Sequence, residues 1–401
     1  MTRHGIACPR VIRGNRGDLL SRWAILNALH RRGSPPITVF RHKASHVPPI
    51  DAAELDYGPV YNLFPSLAGW RALWRSKTVL WTGGLDLQDD SSLLKLCHTL
   101  VLFAIYRMIG LRVIIVMQGA GPLTSWLGRR LTHLILGRVE VFVSRDTATT
   151  RLLAEVAPGT RVMQGADGIF LDDLEPSLSA LARHAPELMR WLDPDGAAIV
   201  GINLRLWWHF ADGLIPYQFA KRRYQGRAEA RMAALITTMA RLISQLREAG
   251  IRVLLLSMYE PGTEPWEDDL PYLEMLAARF AGDDGVRLCR DDLPIPAFLA
   301  VIGALDLMVG TRLQSCLTAL RLGRPAIHLA YTDKGRDIFA DLGLSAWAVS
   351  IDDVVANPTA LSALMRSALA EEFQLPSTVK QAMDRNALIL GEILAKECLS
   401  P

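Results

Sequence analysis

Cysteine is scarce in this chain, and its five cysteines form no CxxC pair. The sequence therefore argues against a disulfide scaffold or a metal site and fits a reducing compartment. The N-terminal stretch MTRHGIACPRVIRGN has no apolar run long enough for a signal peptide, so we expect a cytoplasmic protein. The net charge is only +3, which gives no general attraction to nucleic acid.

An uncharged hydrophobic run of membrane-spanning length is also missing. The most apolar stretch, residues 100–121, contains Arg107, Gly110 and Arg112, and each charge at bilayer depth would cost about 2.5–3.5 kcal/mol. We therefore predict a buried helix, a break and a strand. Two interpretations stay open for SLAGWRALWRSK (66–77). It is a helix whose tryptophans pack inward, or a helix that lies on an anionic membrane surface, at the inner face of the membrane.

Short β-rich runs alternate with helical runs along the chain, which predicts an α/β fold with doubly wound parallel sheets. A chain of 401 residues favours two domains. The pattern restarts near residue 198, after an acidic, proline-dotted stretch that predicts a linker at about 175–197. We expect a domain over 1–180, a second over 195–375 and a C-terminal helix over 376–401. The candidate strands are 77–84, 112–121, 139–146, 198–205, 251–259, 305–312 and 325–331.

Glycines and carboxylates follow two predicted elements in the first half. Gly14 and Gly17 bracket a turn whose N–H groups suit a phosphate or carboxylate, and Asp18 opens the next helix, where it is also a candidate helix cap. The motif is neither GxGxxG nor a Walker loop. Gly83 and Gly84 would let a ligand approach the backbone. Asp86 and Asp89 would then bind sugar hydroxyls, or be solvated acids in a turn.

Further polar residues come at the ends of strands in the first half. Gln118 ends a buried strand, which is unusual for an amide, and Arg145 ends the next one. Asp167 follows a short turn. Ligands in open α/β sheets bind at this edge, so we expect these side chains to face a cleft between the two domains.

Three cations hold corresponding places in the second half. Arg205, Arg312 and Lys334 each come at or just past the end of an apolar strand. They predict a pocket for a small anionic molecule, or they are surface residues that flank loops. Trp207 and Trp208 precede His209 and would stack on sugar rings or seal a core, and Asp268 lies in an acidic loop.

The order of these motifs resembles the polysaccharide pyruvyl transferase family. The motifs that carry the resemblance, from about residue 10 to residue 345, are GNRGDLL, GGLDLQD, QGAGPL, SRDTATTRLL, ADGIF, GINLR and GTRLQSCLTALRLGRPAIHLAYTDKGRDIFADLGL. The resemblance implies two Rossmann-like domains in a glycosyltransferase-B-like arrangement. It also implies transfer of pyruvate from phosphoenolpyruvate to a sugar of a cell-surface glycan or its lipid-linked precursor, forming a cyclic ketal without a cofactor.

The resemblance assigns Arg205, Arg312 and Lys334 to the donor pocket. Asn15, Asp18, Gly83 and Gly84 would shape the facing side of the cleft. Three positions depart from the family pattern: Gln314 stands where a histidine is common, Leu85 ends the glycine triplet, and Gly168 replaces a proline.

Gln314 bears on the chemistry, because protonation of the donor's methylene carbon needs a general acid and an amide does not titrate near neutral pH. Asp18, Asp167, Asp268, His209 and His328 are available as substitutes. We prefer His209, since His328 lies in an apolar strand and reads as a buried histidine. The alternatives are another transferase that uses an anionic donor, such as a glycosyltransferase, and a non-catalytic glycan-binding protein. The sequence says nothing about oligomeric state.

Overall fold

A computed structural model of the chain describes residues 3–12, 14–41, 53–56, 64–90, 92–171, 174–192, 196–206, 217–260, 268–370 and 373–398. Its strands are β1 (Ile6–Cys8), β2 (Ile37–Arg41), β3 (Ala53–Asp56), β4 (Thr78–Thr82), β5 (Leu85–Leu87), β6 (Arg112–Ala120), β7 (Val141–Ser144), β8 (Val162–Gln164), β9 (Ile199–Asn203), β10 (Arg252–Leu256), β11 (Val286–Cys289), β12 (Leu307–Gly310), β13 (Ala326–Ala330) and β14 (Ala348–Ser350).

Fifteen α-helices connect these strands within the described residues. They are α1 (Arg16–Arg31), α2 (Leu67–Arg75), α3 (Leu93–Met108), α4 (Trp126–Leu136), α5 (Thr147–Val156), α6 (Leu178–His184), α7 (Pro186–Leu192), α8 (Tyr217–Glu248), α9 (Leu270–Ala277), α10 (Ile295–Gly303), α11 (Leu313–Arg321), α12 (Asp333–Asp341), α13 (Ile351–Ala356), α14 (Pro358–Ala370) and α15 (Ser377–Ile393).

The first sheet is parallel, with the order β3-β2-β1-β4-β6-β7-β8, and the short strand β5 also pairs with β6. Helices α2, α3 and α4 cover one face, where Leu73, Phe103 and Ile135 are buried. Helix α1 covers the other face with Leu20 and Ile25. Strands covered on both faces need continuous apolar sequence, which β4 and β6 have.

The second sheet is parallel too, with the order β11-β10-β9-β12-β13-β14. Helices α8, α9, α13 and α14 pack on one face, and α10, α11 and α12 on the other. Apolar side chains of α1, α10 and α11 belong to one continuous core, for example Leu20, Phe298 and Leu317. The two domains are therefore joined by packed helices as well as by the chain.

Two segments outside the sheets bind the domains together. The helices of the predicted linker pack on the second domain, since Ser177 N–H donates to Pro296 O at 2.8 Å and Trp191 Nε1 donates to Asp284 O at 2.9 Å. The C-terminal helix α15 returns to the first domain, where Asn386 Nδ2 donates to Asp167 O at 2.9 Å.

The two predicted doubly wound parallel-sheet domains are confirmed, and all seven candidate strands occur. The stretch at 100–121 is confirmed as a helix, a break at Gly110 (φ +80°) and a strand. Among the described residues, no helix has the length and apolarity needed to cross a membrane. Strands β1, β2, β3, β5, β8, β11 and β14 were not predicted.

Candidate active site

The three predicted donor-binding cations come to one edge of the second sheet. Arg205 follows β9, Arg312 follows β12, and Lys334 lies in the first turn of α12 after β13. Because β9, β12 and β13 are neighbours and parallel, their carboxyl ends are adjacent. The three cations nevertheless have different surroundings.

Arg312 forms a buried ion pair with Asp269. Its Nε lies 3.0 Å and its Nη2 lies 2.7 Å from Asp269 Oδ1, and the two side chains are 3% and 0% exposed. Asp269 also accepts hydrogen bonds from Asn203 Nδ2 and from Met258 N–H, both at 3.2 Å. The prediction of Arg312 as a positive charge offered to the donor therefore needs correction, because a buried carboxylate neutralises it and the pair holds the ends of β9, β10 and β12 together.

Arg205 keeps its positive charge at the same edge. Its Nη1 donates to the Tyr331 hydroxyl at 3.1 Å, its guanidinium lies 5.6 Å from the centre of that ring, and its backbone N–H donates to Thr311 Oγ1 at 2.8 Å. Among the described residues, no carboxylate forms an ion pair with Arg205. A half-buried guanidinium held by a phenol is suited to an anionic ligand.

Lys334 reaches across to the first domain. Its Nζ donates to Gln88 Oε1 at 3.1 Å. Burial lowers the pKa of Lys334 to about 8, while the Asp90 carboxylate acts in the opposite direction and the charge of Arg145 in the same one. Such a lysine is charged at neutral pH and loses its charge within the working range of enzymes.

The turn before α1 faces the second domain, but its N–H groups are already engaged. Asn15 Oδ1 accepts hydrogen bonds from Gly17 N–H at 3.1 Å and Asp18 N–H at 3.4 Å. Arg16 N–H donates to Met258 O at 3.0 Å. The predicted phosphate cradle is therefore wrong for this conformation, and Asn15, rather than Asp18, caps the helix. The turn instead forms part of the contact between the domains.

Gln314 lies directly against Gly17 at this contact. A methyl group added at Gly17 would lie 2.5 Å from Gln314 Cβ and 2.7 Å from Gln314 Cγ, so only glycine permits this approach. Gln314 is half-buried in the first turn of α11, and its side-chain amide forms no hydrogen bond with another described residue. The residue at the family's histidine position therefore sits where the two domains meet.

The glycine pair after β4 makes room for a charged cluster. Gly83 and Gly84 have φ values of +75° and +72°, which favour glycine. A methyl group at Gly84 would lie 2.1 Å from Arg10 Nη2 and 2.8 Å from Asp18 Oδ2. Arg10 Nε lies 2.6 Å from Asp86 Oδ2 and Arg10 Nη2 lies 3.9 Å from Asp18 Oδ2.

Asp86 is the anion at the centre of this cluster. It accepts hydrogen bonds from Trp81 Nε1 at 2.9 Å and pairs with Lys95 Nζ at 2.8 Å. Burial alone would raise the pKa of Asp86, but the charges of Arg10 and Lys95 hold it far below its usual range. Arg10 and Lys95 could not be predicted as partners of Asp86, because no local motif in the sequence marks them.

Gln118 and Asp89 support the loops around the glycine pair. Gln118 Nε2 donates to Gly83 O at 2.8 Å, and a register shift in β6 at Met117 (φ +53°) accompanies this inward placement. Asp89 accepts hydrogen bonds from the N–H groups of Thr124 at 2.9 Å and Ser125 at 2.6 Å. The contacts of Asp89 are those of a loop anchor rather than of a sugar-binding side chain.

The remaining predicted carboxylates fall in two places. Asp167 caps the turn Gly168–Phe170, and its Oδ2 lies 3.4 Å from Arg145 Nη1 at a pocket that Asp341 and Arg385 also line. Asp268 lies beside the Arg312–Asp269 pair and accepts a hydrogen bond from Leu270 N–H at 2.9 Å. Burial raises the pKa of Asp268, and the adjacent charge of Asp269 acts in the same direction.

The two histidine predictions have different outcomes. His209, with Trp207 and Trp208, lies outside the described residues. The interpretation of His328 as a core residue is confirmed, since its Nδ1 lies 3.1 Å from Gly310 O and its ring stacks on Phe339. Burial lowers the pKa of His328 to about 4.

Solved structures with the same fold cover nearly the whole chain. UDP-GlcNAc 2-epimerase from Methanocaldococcus jannaschii superposes with a TM-score of 0.59 at 10% identity, over 98% of this chain and 100% of that one. The Neisseria meningitidis UDP-GlcNAc 2-epimerase, bound to UDP-GlcNAc, gives 0.58 at 11% identity over 98% and 100%. Anabaena Alr3699/HepE, in complex with UDP and glucose, gives 0.51 at 13% identity over 100% of both chains. These similarities establish a glycosyltransferase-B-like fold.

Sequence comparison identifies the family. The amylovoran biosynthesis protein AmsJ of Erwinia amylovora is 21% identical over 285 residues, which are 71% of this chain and 64% of AmsJ. The chain thus matches somewhat less than two thirds of that relative. The family model for polysaccharide pyruvyl transferase matches residues 15–333, a range that begins at the cap of α1 and ends at the start of α12. The chain belongs to the polysaccharide pyruvyl transferase family.

Proposed function

We propose that this protein transfers a pyruvyl group from phosphoenolpyruvate to a sugar of a cell-surface polysaccharide or of its lipid-linked precursor, forming a cyclic ketal. The observation that carries the proposal is the family match together with the charges of Arg205 and Lys334, which follow β9 and β13, the strands on either side of β12. Phosphoenolpyruvate has a carboxylate and a phosphate, and two cations that form no ion pair with a carboxylate of the described residues suit such a donor.

The reaction has defined requirements. A sugar hydroxyl attacks the carbon that bears the phosphate, while the adjacent methylene carbon takes a proton and becomes the ketal methyl. Phosphate then leaves, and a second hydroxyl attacks the same carbon and loses its proton, which closes the ring. The protein must supply a proton donor, a base and positive charge for the departing phosphate.

In the proposed site, Arg205 and Lys334 bind the donor and stabilise the leaving phosphate. The Arg312–Asp269 pair fixes the end of β9, which carries Arg205, and the end of β12 beside it. Asp268 is a candidate proton donor, because burial raises its pKa and it lies beside the Arg312–Asp269 pair. His209 stays a prediction for the same role, and Gln314 orients groups at the domain contact.

Calorimetric titration with phosphoenolpyruvate tests the donor assignment. Arg205→Gln and Lys334→Gln should each weaken binding at least tenfold, since a hydrogen bond to a charged group contributes about 1.5–3 kcal/mol. Arg336→Gln is the matched control, because Arg336 is an exposed arginine on the same helix as Lys334. Equal, small effects in all three variants would remove the donor assignment.

The amide at position 314 has its own test. Gln314→His restores the residue common in the family and should raise the rate of phosphate release if the amide limits the reaction. If the proton comes from Asp268 or His209, Gln314→Ala should lower the rate only through lost orientation, by much less than the roughly 10²–10⁴-fold that loss of a general acid typically costs. Stabilisation by a nucleotide-sugar, with none by phosphoenolpyruvate, would instead favour a glycosyltransferase.

A further inference from the structure

The outer surface of helices α2, α3 and α4 exposes an unusual amount of apolar area. Eleven large apolar side chains are exposed among the described residues, and eight of them lie between residues 64 and 127. These eight are Phe64, Leu67, Trp74, Leu94, Val101, Met108, Trp126 and Leu127. Scattered exposed apolar residues are ordinary, but a cluster of this kind marks an interaction surface.

The exposed residues lie on or next to three helices that cover the same face of the first sheet. Leu94, Val101 and Met108 are spaced seven apart and lie along one stripe of α3. Helices α3 and α4 are packed neighbours. Phe64, just before α2, reaches α3, since its ring contacts that of His98 with centroids 5.9 Å apart. We call this surface, with Phe64, the α2–α4 face.

The helices of the α2–α4 face carry charges of one sign. The three helices contain six Lys and Arg residues and no Asp or Glu, whereas the whole chain has 44 basic and 41 acidic residues. Arg71, Arg75, Arg107, Arg129 and Arg130 are exposed. Arg107 and Arg129 lie 3.7 Å from carboxylates of Glu140 and Glu155, which belong to neighbouring segments.

We propose that the α2–α4 face docks on the surface of an anionic membrane. Exposed tryptophan and leucine beside arginine, on helices that themselves contain no carboxylate, are suited to insertion at the headgroup boundary of anionic lipid. The most exposed members, Trp126 and Leu67, are each 79% exposed. A second copy of the chain is a poorer occupant, because a two-fold interface through this face would place arginines opposite arginines.

The position of the α2–α4 face relative to the cleft connects the proposed docking with the proposed reaction. The first turn of α3 carries Lys95, which pairs with Asp86 beside the Gly83–Gly84 turn. The N-terminus of α4 is held by Asp89, and Gln88 contacts Lys334 of the second domain. Leu94 and Trp126 are therefore the chain neighbours of Lys95 and Ser125, which contact Asp86 in β5 and Asp89 in the loop after β5. Given the proposed function, a docked protein would meet a lipid-linked acceptor at the membrane surface.

Vesicle sedimentation tests the docking with the full chain and without any substrate. The vesicles are phosphatidylcholine alone, or phosphatidylcholine with about a third replaced by phosphatidylglycerol. We expect binding to the anionic vesicles only, weakened by salt. Neutralising arginines should reduce partitioning by about fivefold each. The charge variant combines Arg71→Gln, Arg75→Gln and Arg130→Gln.

An apolar variant and its matched control separate docking from general stickiness. The apolar variant, Leu67→Ser with Trp74→Ser and Trp126→Ser, should reduce partitioning by roughly tenfold or more. The control carries the other three exposed apolar residues as serine: Leu178→Ser, Met275→Ser and Leu388→Ser. It should bind vesicles as the unchanged protein does.

Three results would overturn the docking proposal. They are absence of binding to anionic vesicles, equal loss in the control, and a dimer in solution that the apolar variant dissociates. Failure of the proposed function is a separate result. A protein that binds vesicles but forms no ketal keeps the docking surface, whereas ketal formation on a water-soluble glycan without vesicle binding removes the docking surface alone.

Discussion

Replacing Asp269 by asparagine removes the carboxylate that forms the buried ion pair with Arg312 and leaves the buried guanidinium without this pair. Arg312 is 3% exposed and has two nitrogens within 3.1 Å of Asp269 oxygens. Breaking a buried ion pair from one side costs about 3–5 kcal/mol, because the remaining charge stays desolvated. For a domain of roughly 200 residues this corresponds to a fall in Tm of about 6–20 °C.

The control for Asp269→Asn lies close by in the same domain. Glu274 on α9 pairs with Arg290 at 3.2 Å, but the two side chains are 46% and 63% exposed. Glu274→Gln should therefore cost about 1 kcal/mol or less. Differential scanning calorimetry of both variants measures the contrast. A loss for Asp269→Asn as small as that for Glu274→Gln would refute the interpretation of Arg312 as a structural cation.

Three further predictions concern the domain contact and two titrating groups. Gly17→Ala forces a methyl group against Gln314 and should cost about 1–3 kcal/mol and lower turnover, whereas Gly226→Ala, with open space around it in α8, should stabilise by up to about 1 kcal/mol. Phosphoenolpyruvate affinity should fall as pH rises through about 8, where Lys334 loses its charge, and Lys334→Arg should remove that fall. Stability should fall by up to roughly 3 kcal/mol as pH drops from 6.5 toward about 4, because the unfolded chain protonates His328 first, and His328→Gln should flatten this dependence.

Each of these predictions has a contradicting outcome. Gly17→Ala would contradict the packing if it stabilised the protein as the α8 control does. A donor affinity that is flat from pH 7 to 9 in calorimetric titration would remove Lys334 from the donor site. Urea unfolding with the same pH dependence in wild type and His328→Gln would show that His328 is not the titrating group.

The central strands could be predicted from the sequence because their burial leaves a local signature. Strands β4, β6, β9, β10, β12 and β13 are covered by helices on both faces and read as continuous apolar runs. The edge strands β3 and β11 read AELD and VRLC, and polar residues in such short segments hide the pattern. Their pairing comes from the neighbouring strand rather than from their own sequence.

The sequence predicted where the candidate site lies in the fold, but not which contacts its side chains make. Strand ends brought Arg205, Arg312 and Lys334 to one edge, as parallel topology requires. The partners of these side chains depend on tertiary contacts, and Asp269 precedes Arg312 by 43 positions. The prediction of a phosphate cradle at the start of α1 was wrong for the same reason. The carbonyl of Met258, in the other domain, accepts a hydrogen bond from one of the N–H groups of this turn.

Proton NMR of the reaction with phosphoenolpyruvate and candidate glycans, with phosphate measured in parallel, tests the central claim most directly. We predict a new ketal methyl signal, with one phosphate released for each ketal formed. Arg205→Gln should slow the growth of this signal. The proposal is contradicted if the protein neither binds phosphoenolpyruvate nor converts any acceptor, while a nucleotide-sugar stabilises it.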